Sequence, residues 1–149
     1  MRMRPLYGVD SVVRMGLKPG MNRADFQATI EGDCLFLDTD TIIVGDVISV
    51  FHDTSFQVAV SARGKSWDSD ELPYNQGVVF SRDGEFWKDV ADRSRLAGVY
   101  DERSFNEALT SGKFRVKEIP ETYNFSVPQD ISIFHFKGQR KKVLLSMMS

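Results

Sequence analysis

The chain has 149 residues, 42% of them hydrophobic, which is about the size of one domain with a real core. Its 19 basic and 21 acidic residues leave a net charge of −2, which gives no reason to expect a nucleic acid or an anionic membrane as partner. The single cysteine, Cys34, excludes an internal disulfide, and its place in an apolar run reads as a buried small hydrophobe.

Residues 1–20 are punctuated by Pro5, Gly8, Gly16, Pro19 and Gly20, and their local structure is ambiguous. They contain no apolar core of the kind a secretory signal needs, and no apolar run approaches the ~18 residues of a membrane helix. A reducing, cytoplasmic location is the expectation. Residues 22–31 predict a short helix, with Asn22 as N-cap and Phe26 and Ile30 on one face. Cys34 to Leu37 is a continuous apolar run that suits a strand buried on both sides, as in a parallel sheet. Val47 to Phe51 predicts a helical turn. Strands are expected at "FQVAVS" (56–61), "GVVFS" (77–81), "KFRVKEI" (113–119) and "ISIFHF" (131–136). "EFWKDVADRSRL" brings Phe86, Trp87, Val90 and Leu96 to roughly helical spacing. "SFNEAL" offers Ser104 and Glu107 as a capping box. Interleaved strands and helices without a repeat or a linker predict one α/β domain over residues 1–149, with a mostly parallel or mixed sheet.

Two stretches carry chemistry. "LFLDTDTII" sets Asp38 and Asp40 directly after an apolar strand, where open α/β sheets bind ligands. Burying such carboxylates unpaired costs several kcal/mol, so they need water or a cation. In an extended backbone, residues two apart point to one side, which would let both carboxylates converge on one ion. "IFHFKGQRKK" adds His135, Gly138 and Lys141: an imidazole ligand, a site of close backbone approach and a point charge.

Asp-x-Asp after an apolar strand, followed near the C-terminus by His-x-x-Gly-x-x-Lys, resembles the nucleotide-sugar glycosyltransferases of the GT-A fold. The nearest group is the glycogenin and bacterial lipopolysaccharide galactosyltransferase family. "PYNQGVVFSR" (73–82) is similar to that family's Asn-x-Gly strand near the donor sugar. "SGKFRVKEIPETYNF" (111–125) is similar to its strand and Tyr-Asn loop before the final histidine. The resemblance spans roughly residues 21–145 and implies a GT-A-like mixed sheet flanked by helices. It implies a nucleoside diphosphate sugar as donor, with a UDP-sugar the usual choice, an unknown acceptor, and Mn²⁺ or Mg²⁺ held by Asp38, Asp40 and His135. It further implies that Asp38 touches the ribose, that Gly138 and Lys141 meet the diphosphate, and that Asn75 and Gln76 lie near the sugar.

The sequence also departs from that pattern. The resembling enzymes carry an Asp-Gln pair where Asn106 and Glu107 stand here. Only 37 residues precede Asp38, so the first βαβ unit is expected to be reduced. The strand at Leu35 would then have an edge that a second copy or a partner chain could complete. Two other readings of "LDTD" are a noncatalytic module and a haloacid-dehalogenase-type phosphatase. In the phosphatase, Asp38 would be the nucleophile and Asp40 a general acid. That class has a Gly-Asp-x-x-x-Asp pair downstream which this chain lacks. His52 is expected in solvent, Arg63 in a surface ion pair and Trp87 in the core. Trp67 sits in a polar loop, where acceptor contact and partial core burial are both open readings. Asp68, Asp70 and Glu71 of that loop are expected in solvent, with polarising an acceptor hydroxyl as the alternative.

Overall fold

The computed structural model describes residues 23–63, 72–98, 101–124 and 132–135. The elements are α1 (Arg23–Gln27), β1 (Cys34–Leu37), β2 (Thr41–Ile43), a 3₁₀ turn (Ile48–His52), β3 (Val58–Ala62) and β4 (Tyr74–Ser81). They continue with α2 (Gly84–Ala97), α3 (Asp101–Thr110), β5 (Val116–Glu118), a second 3₁₀ turn (Glu121–Tyr123) and β6 (Ile133–His135). Four strands form a mixed sheet in the order β1-β4-β3-β5, and β2 and β6 form a separate two-stranded ribbon. The fold is thus an α/β one, with a mixed sheet flanked by helices.

The apolar strands are buried because both faces of the sheet are covered. Val58, Val60 and Val79 face the helices, where they meet Ala24, Phe86, Trp87, Val90, Phe105 and Phe114. Ala59, Val78 and Phe80 face the other way, toward Val47, Val50, Phe56, Ile119 and Ile133. Successive strand residues therefore serve different cores, which is why these strands read as continuous apolar runs. Aromatic edge-to-face contacts knit the helical side: Phe36 and Phe86 each lie 5.1 Å from the Trp87 ring. The Trp87 indole N–H donates to Ser81 Oγ at 2.9 Å.

Several expectations change. Among the described residues, only β3 and β5 run parallel. β1 pairs antiparallel with β4 and is half-buried along its length, so it is not a strand enclosed in a parallel sheet. Among the described residues it lies at the sheet edge. α1 spans only Arg23–Gln27 and buries Ala24 and Gln27, while Phe26 and Ile30 are half-exposed. Leu96 is 89% exposed. It follows Trp87 by nine residues, and at ~100° per residue that is half a turn out of phase, so Ala91 and Ser94 continue the buried face instead. The capping box is absent: α3 begins at Asp101, so Ser104 is interior and fully buried, and Glu107 pairs with Arg103. The cap appears on α2, where Asp83 accepts from the Glu85 N–H at 2.7 Å and Gly98, at φ 60°, closes the last turn. β2 was not anticipated as a strand.

Charge pairs tie the periphery together. Asp89 on α2 takes hydrogen bonds from Arg93 and Lys113. Burial alone would raise its carboxyl, but the two cations outweigh it and hold it below the usual carboxylate range. Arg63 forms the expected ion pair with Glu102, but in a part-buried setting, and His52 is exposed.

A side-chain contact also ties α3 to the start of β4, the strand that carries Asn75 and Gln76. The Asn106 side chain accepts from the Tyr74 N–H at 2.8 Å and donates to the Tyr74 carbonyl at 3.1 Å. It clamps the first residue of β4 to α3. Replacing it, Asn106→Leu, should leave that N–H without its partner and cost about 1–3 kcal/mol, read as a lower denaturant midpoint at unchanged m.

Candidate functional site

The two carboxylates converge through a turn, not through a pleated strand. β1 ends at Leu37, and residues 38–40 turn the chain into β2. The turn is held at both ends: the Asp38 N–H donates to the Gly77 carbonyl at 2.8 Å, and Thr41 Oγ1 donates to the Asp38 carbonyl at 2.7 Å. β2 then pairs antiparallel with β6, with Thr41 opposite His135, Ile42 opposite Phe134 and Ile43 opposite Ile133. That register delivers the imidazole from the far end of the sequence to the Asp-Thr-Asp turn. His135 Nε2 lies 3.2 Å from Asp40 Oδ1 and 3.6 Å from Asp38 Oδ2.

Asp38, Asp40 and His135 each offer one ligand atom, and those atoms lie within 4.8 Å of one another, a grouping able to hold a metal ion. The Asp40 and His135 side chains are 12% and 5% exposed, whereas Asp38 is 35% exposed, so the group is open on the Asp38 side. The donor set fits a divalent cation. Two carboxylates facing one imidazole nitrogen favour a positive centre between them, and hard oxygens with one borderline nitrogen suit Mg²⁺ or a first-row divalent ion.

Three further residues complete the arrangement. The Arg23 guanidinium donates from Nη1 to Asp38 Oδ1 at 2.8 Å and from Nη2 to the Gln76 carbonyl at 3.2 Å. Gly77 packs against the histidine: a Cβ built on it would fall 2.1 Å from His135 Cε1. Asn124 Oδ1 lies 2.9 Å from His135 Nδ1. Arg23 had no signal in the sequence. Gly77 did, as the Gly of the Asn-x-Gly strand, and so did Asn124, as the Asn of the Tyr-Asn loop.

β4 is irregular at this point. Val60 of β3 pairs with Val79 and Ala62 pairs with Tyr74, so residues 75–78 stand opposite Ser61 alone. The bulge lifts Asn75, Gln76 and Gly77 out of the β3 ladder and toward the carboxylate turn. Asn75 Oδ1 accepts from the Gly77 N–H at 2.8 Å and from Asn124 Nδ2 at 3.2 Å. Gln76 is 5% exposed, and its Nε2 has no hydrogen-bond partner.

The structure thus brings together Asp38, Asp40 and His135, with Asn75 and Gln76 alongside. Gly138, Lys141, Trp67, Asp68, Asp70 and Glu71 lie outside the described residues. Asn106 and Glu107, which align with the Asp-Gln pair of the resembling enzymes, have structural partners at Tyr74 and Arg103.

No protein-family model matches this chain, and neither does any curated protein. Solved structures do. The glycosyltransferase GlyE of Streptococcus pneumoniae TIGR4 superposes at a TM-score of 0.55 and 17% identity, over 78% of this chain and 37% of that one. Its apo form gives 0.55 and 16%, over 78% and 36%. The fold is therefore similar to that of a glycosyltransferase. The chain spans a little over a third of that protein's length. Among the described residues, no helix is long and apolar enough to cross a membrane.

The imidazole of His135 occupies the space that a side chain at Gly77 would need. Gly77→Ala should force the buried ring out of place and cost about 1–3 kcal/mol, measured by chemical denaturation. The His135 side-chain resonances should move while those of exposed His52 stay fixed.

Proposed function

We propose that the chain is a GT-A-like module for metal-dependent transfer of a sugar from a nucleoside diphosphate sugar, a UDP-sugar in the first instance, to an acceptor. The observation that carries this is the convergence of Asp38, Asp40 and His135, one ligand atom from each within 4.8 Å, in a fold similar to a glycosyltransferase.

One oxygen from each carboxylate and Nε2 of His135 would hold the cation, with the imidazole tilting the choice toward Mn²⁺ over Mg²⁺. When bound, it supplies charge neutralisation for the diphosphate leaving group. The chain's own residues do the positioning. Arg23 fixes the Asp38 carboxylate through Oδ1, leaving Oδ2 on the His135 side. Gln76 offers an unsatisfied buried donor beside Gly77, suited to a sugar or phosphate oxygen, because an unpaired N–H there gains a full hydrogen bond on binding. The ribose contact is assigned to Asp38 on the resemblance, and its half-exposed carboxylate leaves room for one. Lys141 and Gly138 are assigned to the diphosphate on the resemblance alone.

The phosphatase reading needs Asp38 as an attacking nucleophile. Here Asp38 is held by Arg23 and shares His135 with Asp40, which favours a ligand role over nucleophilic attack. In the noncatalytic reading Asp40 and His135 are a buried structural pair, and ion binding at the half-exposed Asp38 distinguishes the two.

Binding separates these readings. Mn²⁺ with UDP at about 100 times their dissociation constants should stabilise the protein by ~2.7 kcal/mol, on the order of 5 °C in Tm. UDP release from UDP-sugars should require Mn²⁺ and vanish in Asp40→Asn. Absence of stabilisation by either ligand overturns the proposal. So does release of inorganic phosphate from small phosphoesters that Asp38→Asn abolishes.

A further inference from the structure

The two edges of the four-stranded sheet are not alike. β5 ends one side with Lys117 and Glu118 among its three residues and Arg115 just before it, so charge protects that edge from an added strand. β1 forms the other edge with Cys34, Leu35, Phe36 and Leu37. It carries no charge and no proline, and no bulge breaks its register with β4. The acids that flank it are already paired within the chain, Asp33 with Arg82 and Asp38 with Arg23. All four side chains are half-buried: Phe36 packs on the helical core, Leu35 and Leu37 on the opposite one.

The hydrogen-bond phase of β1 follows from its end. The Asp38 N–H donates at 2.8 Å to the carbonyl of Gly77, the residue directly opposite it in the register, so these two form a hydrogen-bonded pair. Such pairs alternate along an antiparallel ladder. Phe36 and Cys34 therefore also turn their N–H and C=O toward β4, whereas Leu35 and Leu37 turn theirs away. β4 shows the same phase from its other side. The Arg82 N–H donates to the Gln57 carbonyl at 2.9 Å, so Phe80 and Arg82 face β3 while Val79 and Ser81 face β1. Among the described residues, no strand pairs with the two N–H and two C=O groups that Leu35 and Leu37 present. Unpaired backbone groups on a half-buried apolar strand are a template for one more strand.

We propose that this edge binds a second copy of the chain, β1 against β1 in antiparallel order, about a two-fold axis at Phe36. A strand added here must be apolar on both sides, because a core lies on each face of the sheet. Among the described strands of that sheet, only β1 is both apolar throughout and free on one edge. One register uses every free group: Leu35 stands opposite the second copy's Leu37, and Leu37 opposite its Leu35, which makes four hydrogen bonds. Phe36 then meets its own equivalent in the non-hydrogen-bonded pair between them, where side chains come closest. The arrangement also closes. Pairing uses up both β1 edges and leaves the charged β5 edge at each end of the joined sheet, so growth stops at two copies. The same register sets Cys34 of one copy across from Asp38 of the other, so each candidate site has the second copy as a neighbour. The inference does not depend on the metal reading.

Sedimentation velocity of the full-length chain over a concentration series tests for the dimer, and residue-resolved amide exchange on the same samples tests the surface. The expected result is a monomer–dimer equilibrium in which the Leu35 and Leu37 amides gain protection as the dimer forms. The Phe36 and Asp38 amides, bonded to β4, should stay protected throughout. Leu35→Pro removes an N–H that β4 does not use, a change that edge strands tolerate. It takes away two of the four intermolecular bonds and should weaken the dimer by at least about 10-fold. Should that variant not fold, the wild-type exchange pattern decides alone. A chain that is monomeric at every concentration overturns the proposal. So does a dimer in which Leu35 and Leu37 exchange as they do in the monomer, since the copies then meet on another face. Protection of both amides in the monomer overturns it too, because the chain then covers its own edge. Undiminished dimerisation of folded Leu35→Pro counts equally against it.

Discussion

The pairing of Thr41 with His135 is the constraint on which the candidate site depends. It joins two pieces of chain more than ninety residues apart, and it does so at one register. Because side chains on a strand alternate, a slip of one residue would turn the imidazole to the other face and leave the carboxylates alone. The register is held by what lies on either side of it. Ile133 is fully buried against Val78 and Phe80, and the Asp38–Thr41 turn is anchored to the Gly77 carbonyl. The core therefore positions the polar group: burial of Ile133 fixes β6, β6 fixes His135, and His135 meets the turn.

The bulge in β4 serves the same end. A regular ladder between β3 and β4 would have kept Asn75, Gln76 and Gly77 in the sheet. The bulge at Ser61 moves them to where they can touch Arg23, Asn124 and His135. Lost ladder bonds are replaced by side-chain bonds, from Asn106 to Tyr74 before the bulge and from Asn75 to Gly77 within it. The local irregularity and the polar cluster are one feature. The charge balance points the same way. Asp38 and Asp40 present two carboxylates to His135 Nε2, and Arg23 holds one oxygen of Asp38. A cation shared among these groups is the electrostatic expectation that the metal reading rests on.

Much of this was legible in the chain. The Asp-Thr-Asp after an apolar run and the late histidine were visible as chemistry, because carboxylates and imidazoles interrupt hydrophobic pattern. The strands at 56–61 and 77–81 and the helix beginning near Glu85 were visible as periodicity. What the sequence could not show was pairing. β1 read as a strand enclosed in a parallel sheet because four apolar residues look alike whether the neighbour runs parallel or antiparallel. Asp38 and Asp40 read as pleated neighbours, whereas the turn brings them together with His135. Arg23 was one cation among 19, and nothing in its surroundings marked it as the residue that would reach Asp38. Ser104 and Glu107 had the right spacing for a cap but the wrong place in the helix, since the start of α3 is not set by local signals alone.

The central claim is that one ion is shared by Asp38, Asp40 and His135. Anomalous diffraction from crystals grown with Mn²⁺ tests it most directly. The account predicts a single strong peak bonded to a carboxylate oxygen of each aspartate and to Nε2 of His135, at about 2–2.3 Å. A peak bonded elsewhere, or none at saturating Mn²⁺, would contradict it.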